Sequence, residues 1–174
     1  MLKNYLTLLK LRVVELLIVT TIPAMFLAAK GFPDLKIALA TVIGGTLAAG
    51  SANAFNMAIE VDRDRLMTRT ASRPTAQNLI SKKSSYIFAA AVGIISLAIF
   101  QIFTNELATL LTLFAIIFYV VGYTIILKPN TSQNIVWGGI AGCMPVLIGW
   151  AAIENKISLT AILFFLVVFF WTPP

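Results

Sequence analysis

I-A-L-A-T-V-I-G-G-T-L-A-A-G-S-A-N-A-F-N-M-A-I-E-V-D-R-D-R-L-M-T-R-T-A-S-R-P, Ile37 to Pro74, joins two kinds of sequence that rarely meet so abruptly. Its first part, Ile37 to Ile59, is an apolar run with no charged residue. A hydrocarbon core needs roughly 20 apolar residues per helix, so this run reads as a membrane span. Its second part packs three carboxylates, Glu60, Asp62 and Asp64, against four arginines, Arg63, Arg65, Arg69 and Arg73. Charge is scarce in the rest of the chain, so its concentration at one membrane border needs a chemical reason.

Outward from that border, the chain repeats the apolar pattern. Further spans are expected near Val13 to Ala29, Tyr86 to Phe103, Leu107 to Leu127, Ile135 to Ile153 and from Leu159 to the end. Breakers and polar residues separate them: Gly31, Pro33 and Asp34, then Thr104 to Glu106, Pro129 to Gln133, and Glu154 to Lys156. Hydrophobic residues make up 59% of the 174 and charged residues 11%, well below the roughly 25% of soluble domains. The expected fold is all-α: a polytopic transmembrane bundle of about six spanning helices, with residues 1–174 forming a single membrane domain.

A net charge of +6 would suggest nucleic acid in a soluble chain. Here topology accounts for it, and no nucleic-acid partner is expected; the lipid bilayer is. Lys3, Lys10, Arg12, Arg63, Arg65, Arg69, Arg73, Lys82, Lys83 and Lys128 fall on one side, against Lys30, Lys36 and Lys156 on the other. That bias places the N-terminus and the 60–83 loop in the cytoplasm, in a bacterial inner membrane or its organellar equivalent. There is no histidine, which disfavours a tightly held haem or a histidine-based zinc site. Cys143, the single cysteine, reads as a packing residue. The chain closes on F-F-W-T-P-P, Phe169 to Pro174, without a polar flank, which reads as a last helix cut before its border.

On a helix, positions i, i+4 and i+8 drift only about 40° per step. Asn56, Glu60 and Asp64 therefore share a stripe, with Asn53 close by and Asp62 pointing elsewhere. Amide and carboxylate oxygens in such a row suit Mg²⁺, which takes one or two carboxylates and completes its shell with substrate phosphate. Arg69 and Arg73 then stand ready to clamp a diphosphate. Solvated topology charges explain the arginines equally well, but they explain the carboxylates poorly, because acidic groups contribute little to topology. Asn53 and Asn56 also have an ordinary alternative in helix–helix hydrogen bonding. The glycines at 44, 45, 50, 138, 139, 142 and 149 read first as close-packing positions, with room for a bulky flat ligand as the second reading.

The pattern N-x-x-x-E-x-D-x-D-x-x-M-x-R-T-x-x-R-P, Asn56 to Pro74, resembles the first acidic motif of the intramembrane UbiA-type prenyltransferases. Y-T-x-x-L-K (Tyr123 to Lys128), N-I-V-W-G-G-I-A-G-C-M-P-V-L-I-G-W-A-A (Asn134 to Ala152) and W-T-P-P (Trp171 to Pro174) resemble its haem-farnesylating branch. The resemblance implies a bundle of about nine spanning helices around a cavity, of which this chain would hold the N-terminal portion. It implies farnesyl diphosphate and protohaem IX as substrates, haem O as product and diphosphate-bound Mg²⁺ as cofactor. By motif position Asn56, Glu60 and Asp64 would hold the metal and serve catalysis, with Asp62 assisting. Arg69, Arg73 and Lys128 would contact the diphosphate. Three positions depart from the family pattern: Glu60 for aspartate, Leu11 for proline, and Pro129 for a second basic residue. Two other readings stand beside this one. One is a sister prenyltransferase acting on a quinone or chlorophyll precursor; the other is a catalytically inactive truncated fragment.

Overall fold

A computed structural model describes residues 2–171. A short helix α1 (Leu2–Leu8) precedes α2 (Leu11–Ala29), α3 (Leu35–Ile59) and the single-turn α4 (Val61–Leu66). After a 15-residue connection come α5 (Lys82–Phe103) and α6 (Glu106–Ile117). α6 runs on without a break into a π-helical segment, Phe118–Leu127, and one further turn, α7 (Lys128–Asn130). α8 (Asn134–Glu154) and α9 (Leu159–Trp171) complete the described chain, which contains no strand. Thr172 to Pro174 lie outside the described residues, and with them most of the W-T-P-P ending.

Five segments are long and apolar enough to cross a membrane: α2, α3, α5, Glu106–Asn130 and α8. The sixth expected span, α9, has 13 described residues and is too short for that. The observed helices begin earlier than the apolar runs because capping side chains sit outside the hydrocarbon-length core. Asp34 Oδ1 accepts from Ile37 N at 3.0 Å, Ser81 Oγ from Ser84 N at 3.0 Å, and Asn105 Oδ1 from Ala108 N at 2.9 Å. Each satisfies an otherwise orphaned donor of a first turn. Asn105 also uses its amide nitrogen, donating to Ala151 O at 2.8 Å and Ala152 O at 3.1 Å in the last turn of α8.

Packing follows the small residues. α5 lies on α3, where Ser51 Oγ donates to Ala89 O and Ser96 Oγ to Gly44 O, both at 2.7 Å. A Cβ on Gly44 would stand 2.9 Å from the Phe100 ring, and one on Gly149 of α8 would stand 3.0 Å from Thr21 O of α2. These glycines serve close approach between helices, as expected. Cys143 is fully buried in α8. The outward faces carry large apolar side chains, Leu16, Val19, Ile94 and Val167 among them, each more than 60% exposed. That is the pattern of helices solvated by lipid.

Candidate functional site

α2, α3, α6 with its π continuation, and α8 enclose an apolar cavity of about 320 Å³. Gly45 and Gly142 line it with open space where a side chain would begin, so these two glycines are not packing positions. The cavity reaches Asn53, Tyr119 and Tyr123 at one end. Beyond that end lies the charged border of α3.

The oxygen-bearing stripe forms as the spacing predicts, with one difference. The helix was expected to continue through Asp64, but it is broken at Glu60 (φ −89°, ψ 7°) before α4 begins. The i to i+4 register survives because Glu60 N donates to Asn56 O at 3.0 Å and Asp64 N to Glu60 O at 2.8 Å. Asn56, Glu60 and Asp64 are accordingly all buried, at 2%, 5% and 3% exposure.

Each stripe residue meets a cation from a different part of the chain. Arg73 Nη1 donates to Asp64 Oδ1 at 2.8 Å and Oδ2 at 2.6 Å. Lys128 Nζ lies 2.7 Å from Glu60 Oε2 and 2.5 Å from Oε1. The Oε2 contact is aligned as a hydrogen bond, and the buried Oε1 is held by the same ammonium as an ion pair. Lys10 Nζ donates to Asn56 Oδ1 at 3.3 Å. Burial, and then the neighbouring Arg73 charge, push the Lys10 ammonium down to about 8 from the usual 10.5.

Two local devices bring these groups together. The first is the corner between α1 and α2, where Lys10 adopts a left-handed backbone (φ 49°, ψ 52°). Asn53 Nδ2 donates to Leu9 O at 3.2 Å, and the Leu9 side chain lies over Gly50. The second is the π segment. Its wider turn lets Thr124 Oγ1 donate to Tyr119 O at 2.9 Å, five residues back, while accepting from Asn56 Nδ2 at 3.2 Å. Pro129 has no N–H to offer an α-helical ladder, and Lys128 N reaches back to Tyr123 O instead. π turns inside α-helices often mark functional sites. Tyr119 OH lies 3.5 Å from Asn53 Oδ1, and the Tyr119 and Tyr123 rings lie 5.3 Å apart where cavity and charged cluster meet.

Of the residues expected in the site, the fold brings Asn56, Glu60, Asp64, Arg73 and Lys128 together. Asp62 and Arg69 stand outside. The Asp62 side chain is 82% exposed and its nearest cation is Arg65 at 3.8 Å. Arg69 is exposed and makes no ion pair among the described residues. Asn53 and Asn56 both do what the hydrogen-bonding alternative anticipated, binding Leu9 O and Thr124 Oγ1. Lys10, Tyr119 and Thr124 belong to the cluster without having been singled out. Lys10 had been counted only among the cations of one membrane side, and Thr124 lies with Lys128 in the Y-T-x-x-L-K stretch.

No group of three or more Asp, Glu, Cys or His side chains gathers among the described residues. Two carboxylates and one amide oxygen do gather, which suits Mg²⁺, an ion that leaves part of its shell to substrate oxygens and water. The buried Glu60 carboxylate, met by a single ammonium across both oxygens, offers hard oxygens of the kind such an ion takes, so the residues present fit it.

The chain is similar to known proteins over most of its length. A family model described as the UbiA prenyltransferase family matches residues 17–174. A protoheme IX farnesyltransferase of Renibacterium salmoninarum is 54% identical over 172 residues, covering 99% of this chain and 54% of that protein. Proteins of the same name from Leifsonia xyli subsp. xyli and Streptomyces coelicolor are 54% and 51% identical over 99% of this chain, and 56% and 55% of theirs. The chain thus spans about half the length of the curated relatives it matches. Among solved structures, a UbiA homolog from Archaeoglobus fulgidus bound to GPP and Mg²⁺ superposes with a TM-score of 0.74 at 20% identity, over 97% of this chain and 60% of that one. The same homolog bound to DMAPP and Mg²⁺ gives 0.74 at 21%. The multi-pass all-helical architecture is therefore shared, and the chain belongs to the UbiA prenyltransferase family.

Proposed function

We propose that this chain carries the prenyl-diphosphate site of a protohaem IX farnesyltransferase, which moves farnesyl from farnesyl diphosphate to a haem vinyl group and yields haem O. The observation that carries the reading is sequence identity of about one half to proteins of that name, extending over 99% of the chain. The site supports it: a charged cluster at one end of a mainly apolar cavity suits a substrate with an anionic head and an apolar tail.

Asn56, Glu60 and Asp64 would hold Mg²⁺. When bound, the ion supplies positive charge against which a departing diphosphate is stabilised. Arg73 and Lys128 turn from their carboxylates to phosphate oxygens and share that stabilisation. Asp62 and Arg69 take outer positions, as assisting ligand and rim contact. The Tyr119 and Tyr123 rings face the end of the cavity where an allylic cation would form, and aromatic faces attract cations. The apolar walls keep water from the farnesyl cation until the vinyl carbon has bonded to it. The new cation, now on the carbon next to the macrocycle, takes water and releases a proton to give the hydroxyethylfarnesyl group. The basic bias of the 60–83 loop and the N-terminus puts the diphosphate end on the cytoplasmic side of a bacterial inner membrane.

The test is turnover by the full chain in lipid nanodiscs with farnesyl diphosphate and Mg²⁺, supplied in parallel with protohaem and with an aromatic acid. Haem O formation, reduced about 100-fold or more in Asp64→Ala, is expected. Prenylation of the aromatic acid alone would transfer the site to a sister reaction. No product with either acceptor would leave a membrane chain without this activity.

A further inference from the structure

We propose that Lys10 is a third diphosphate-binding cation, presented by the left-handed corner between α1 and α2. The inference rests on the proposed prenyl-diphosphate site and extends its ligand set to an element outside the acidic motif.

Three observations carry it. The first is charge. Arg73 and Lys128 each pair with a carboxylate, but Lys10 Nζ contacts a neutral amide oxygen, Asn56 Oδ1 at 3.3 Å. Among the described residues no carboxylate oxygen lies within ion-pair distance of it. Three cations therefore face two carboxylates in a partly desolvated cluster, where surplus charge is costly until an anion arrives. The trianion of a fully ionised prenyl diphosphate, arriving with Mg²⁺, balances that surplus.

The second is the fixed corner. Leu8 is fully buried and packs with Ala54, Met57, Ile80 and Ala89, while Leu9 seats on Gly50 and is held through its carbonyl by Asn53. A lysine in the left-handed region is uncommon, and such conformations persist where the surroundings over-determine them. Here the surroundings are the same helix face, Gly50, Asn53 and Asn56, that leads into the acidic stripe. The third is continuity. One turn after Lys10, Val13, Val14 and Leu17 form the α2 wall of the apolar cavity. A prenyl chain lying along that wall brings its diphosphate to the Lys10 end.

The experiment measures uptake of inorganic pyrophosphate with Mg²⁺ by calorimetry on the full chain in nanodiscs. It compares wild type with Lys10→Met and Lys10→Gly. Glycine suits the left-handed corner, so that variant loses the side chain with its ammonium and leaves the backbone unstrained, while methionine keeps an apolar stem. Both variants are expected to bind about tenfold or more weakly, with helical content unchanged. Wild-type affinity in both would overturn the role of Lys10 and leave the site itself standing. Weak binding by Lys10→Met with wild-type binding by Lys10→Gly would assign the effect to the corner and also overturn it. No uptake by wild type would remove the underlying site, and the inference with it.

Discussion

Asp64 is 3% exposed, and both of its carboxylate oxygens are held by one guanidinium nitrogen of Arg73. Removing one member of a buried pair strands the other, at a cost of several kcal/mol. Arg73→Ala is therefore expected to lower stability by about 3 kcal/mol in SDS titrations from mixed micelles, and Arg73→Ala with Asp64→Asn to recover most of that loss. A double variant no more stable than the single one would mean that Arg73 acts through the 67–81 connection instead. Single residues were also where the sequence was most and least readable. Asn56, Glu60 and Asp64 could be placed together because the helical repeat, a local rule, sets their spacing. Lys10 could not be placed with them, because it reaches Asn56 across 46 positions that only the packed bundle closes, and Lys128, 68 positions from Glu60, entered the expected site through the family resemblance alone.

Among the elements, the π segment Phe118–Leu127 does most to shape the site. An α-helical register would not let Thr124 bond to Tyr119 O and Asn56 at once. Thr124→Val keeps the shape of the side chain and removes both bonds, leaving the Asn56 amide held only through its oxygen by Lys10. Partners that orient a metal ligand typically carry a 10–100-fold share of affinity. Mg²⁺-dependent pyrophosphate affinity is therefore expected to fall by about tenfold in this variant, with the helical content intact. An unchanged affinity would show that Lys10 alone orients Asn56. Hydropathy had located this segment within a span, yet apolar periodicity carries no mark that separates a π turn from an α turn. The break at Glu60 was hidden for the same reason. In contrast, Asp34 and Asn105 sit where helix starts require them and were legible among the breakers.

At the scale of the whole molecule, both stripe carboxylates are engaged by Arg73 and Lys128 in the absence of ligand. Mg²⁺ alone must compete with Arg73 and Lys128 for Asp64 and Glu60. A diphosphate alone must draw those cations away from the same carboxylates. Each ligand frees what the other needs, so each is expected to raise the other's affinity by one common factor of about tenfold or more. Calorimetric titrations in both orders check this, and chelation with EDTA should release pyrophosphate together with the metal. Independent, additive binding would show that the ion pairs do not oppose ligand. The architecture behind this behaviour, spanning helices with charge at one rim, was readable from composition, span spacing and the lysine and arginine bias, while the cavity came with the family resemblance.

Asn105 has a mechanical consequence. One side chain starts α6 through its oxygen and holds the end of α8 through its nitrogen. When an atomic force microscope tip pulls the chain from a bilayer, that fastening should make α6 and α8 leave in a single rupture event, and Asn105→Ala should split the event into two smaller peaks.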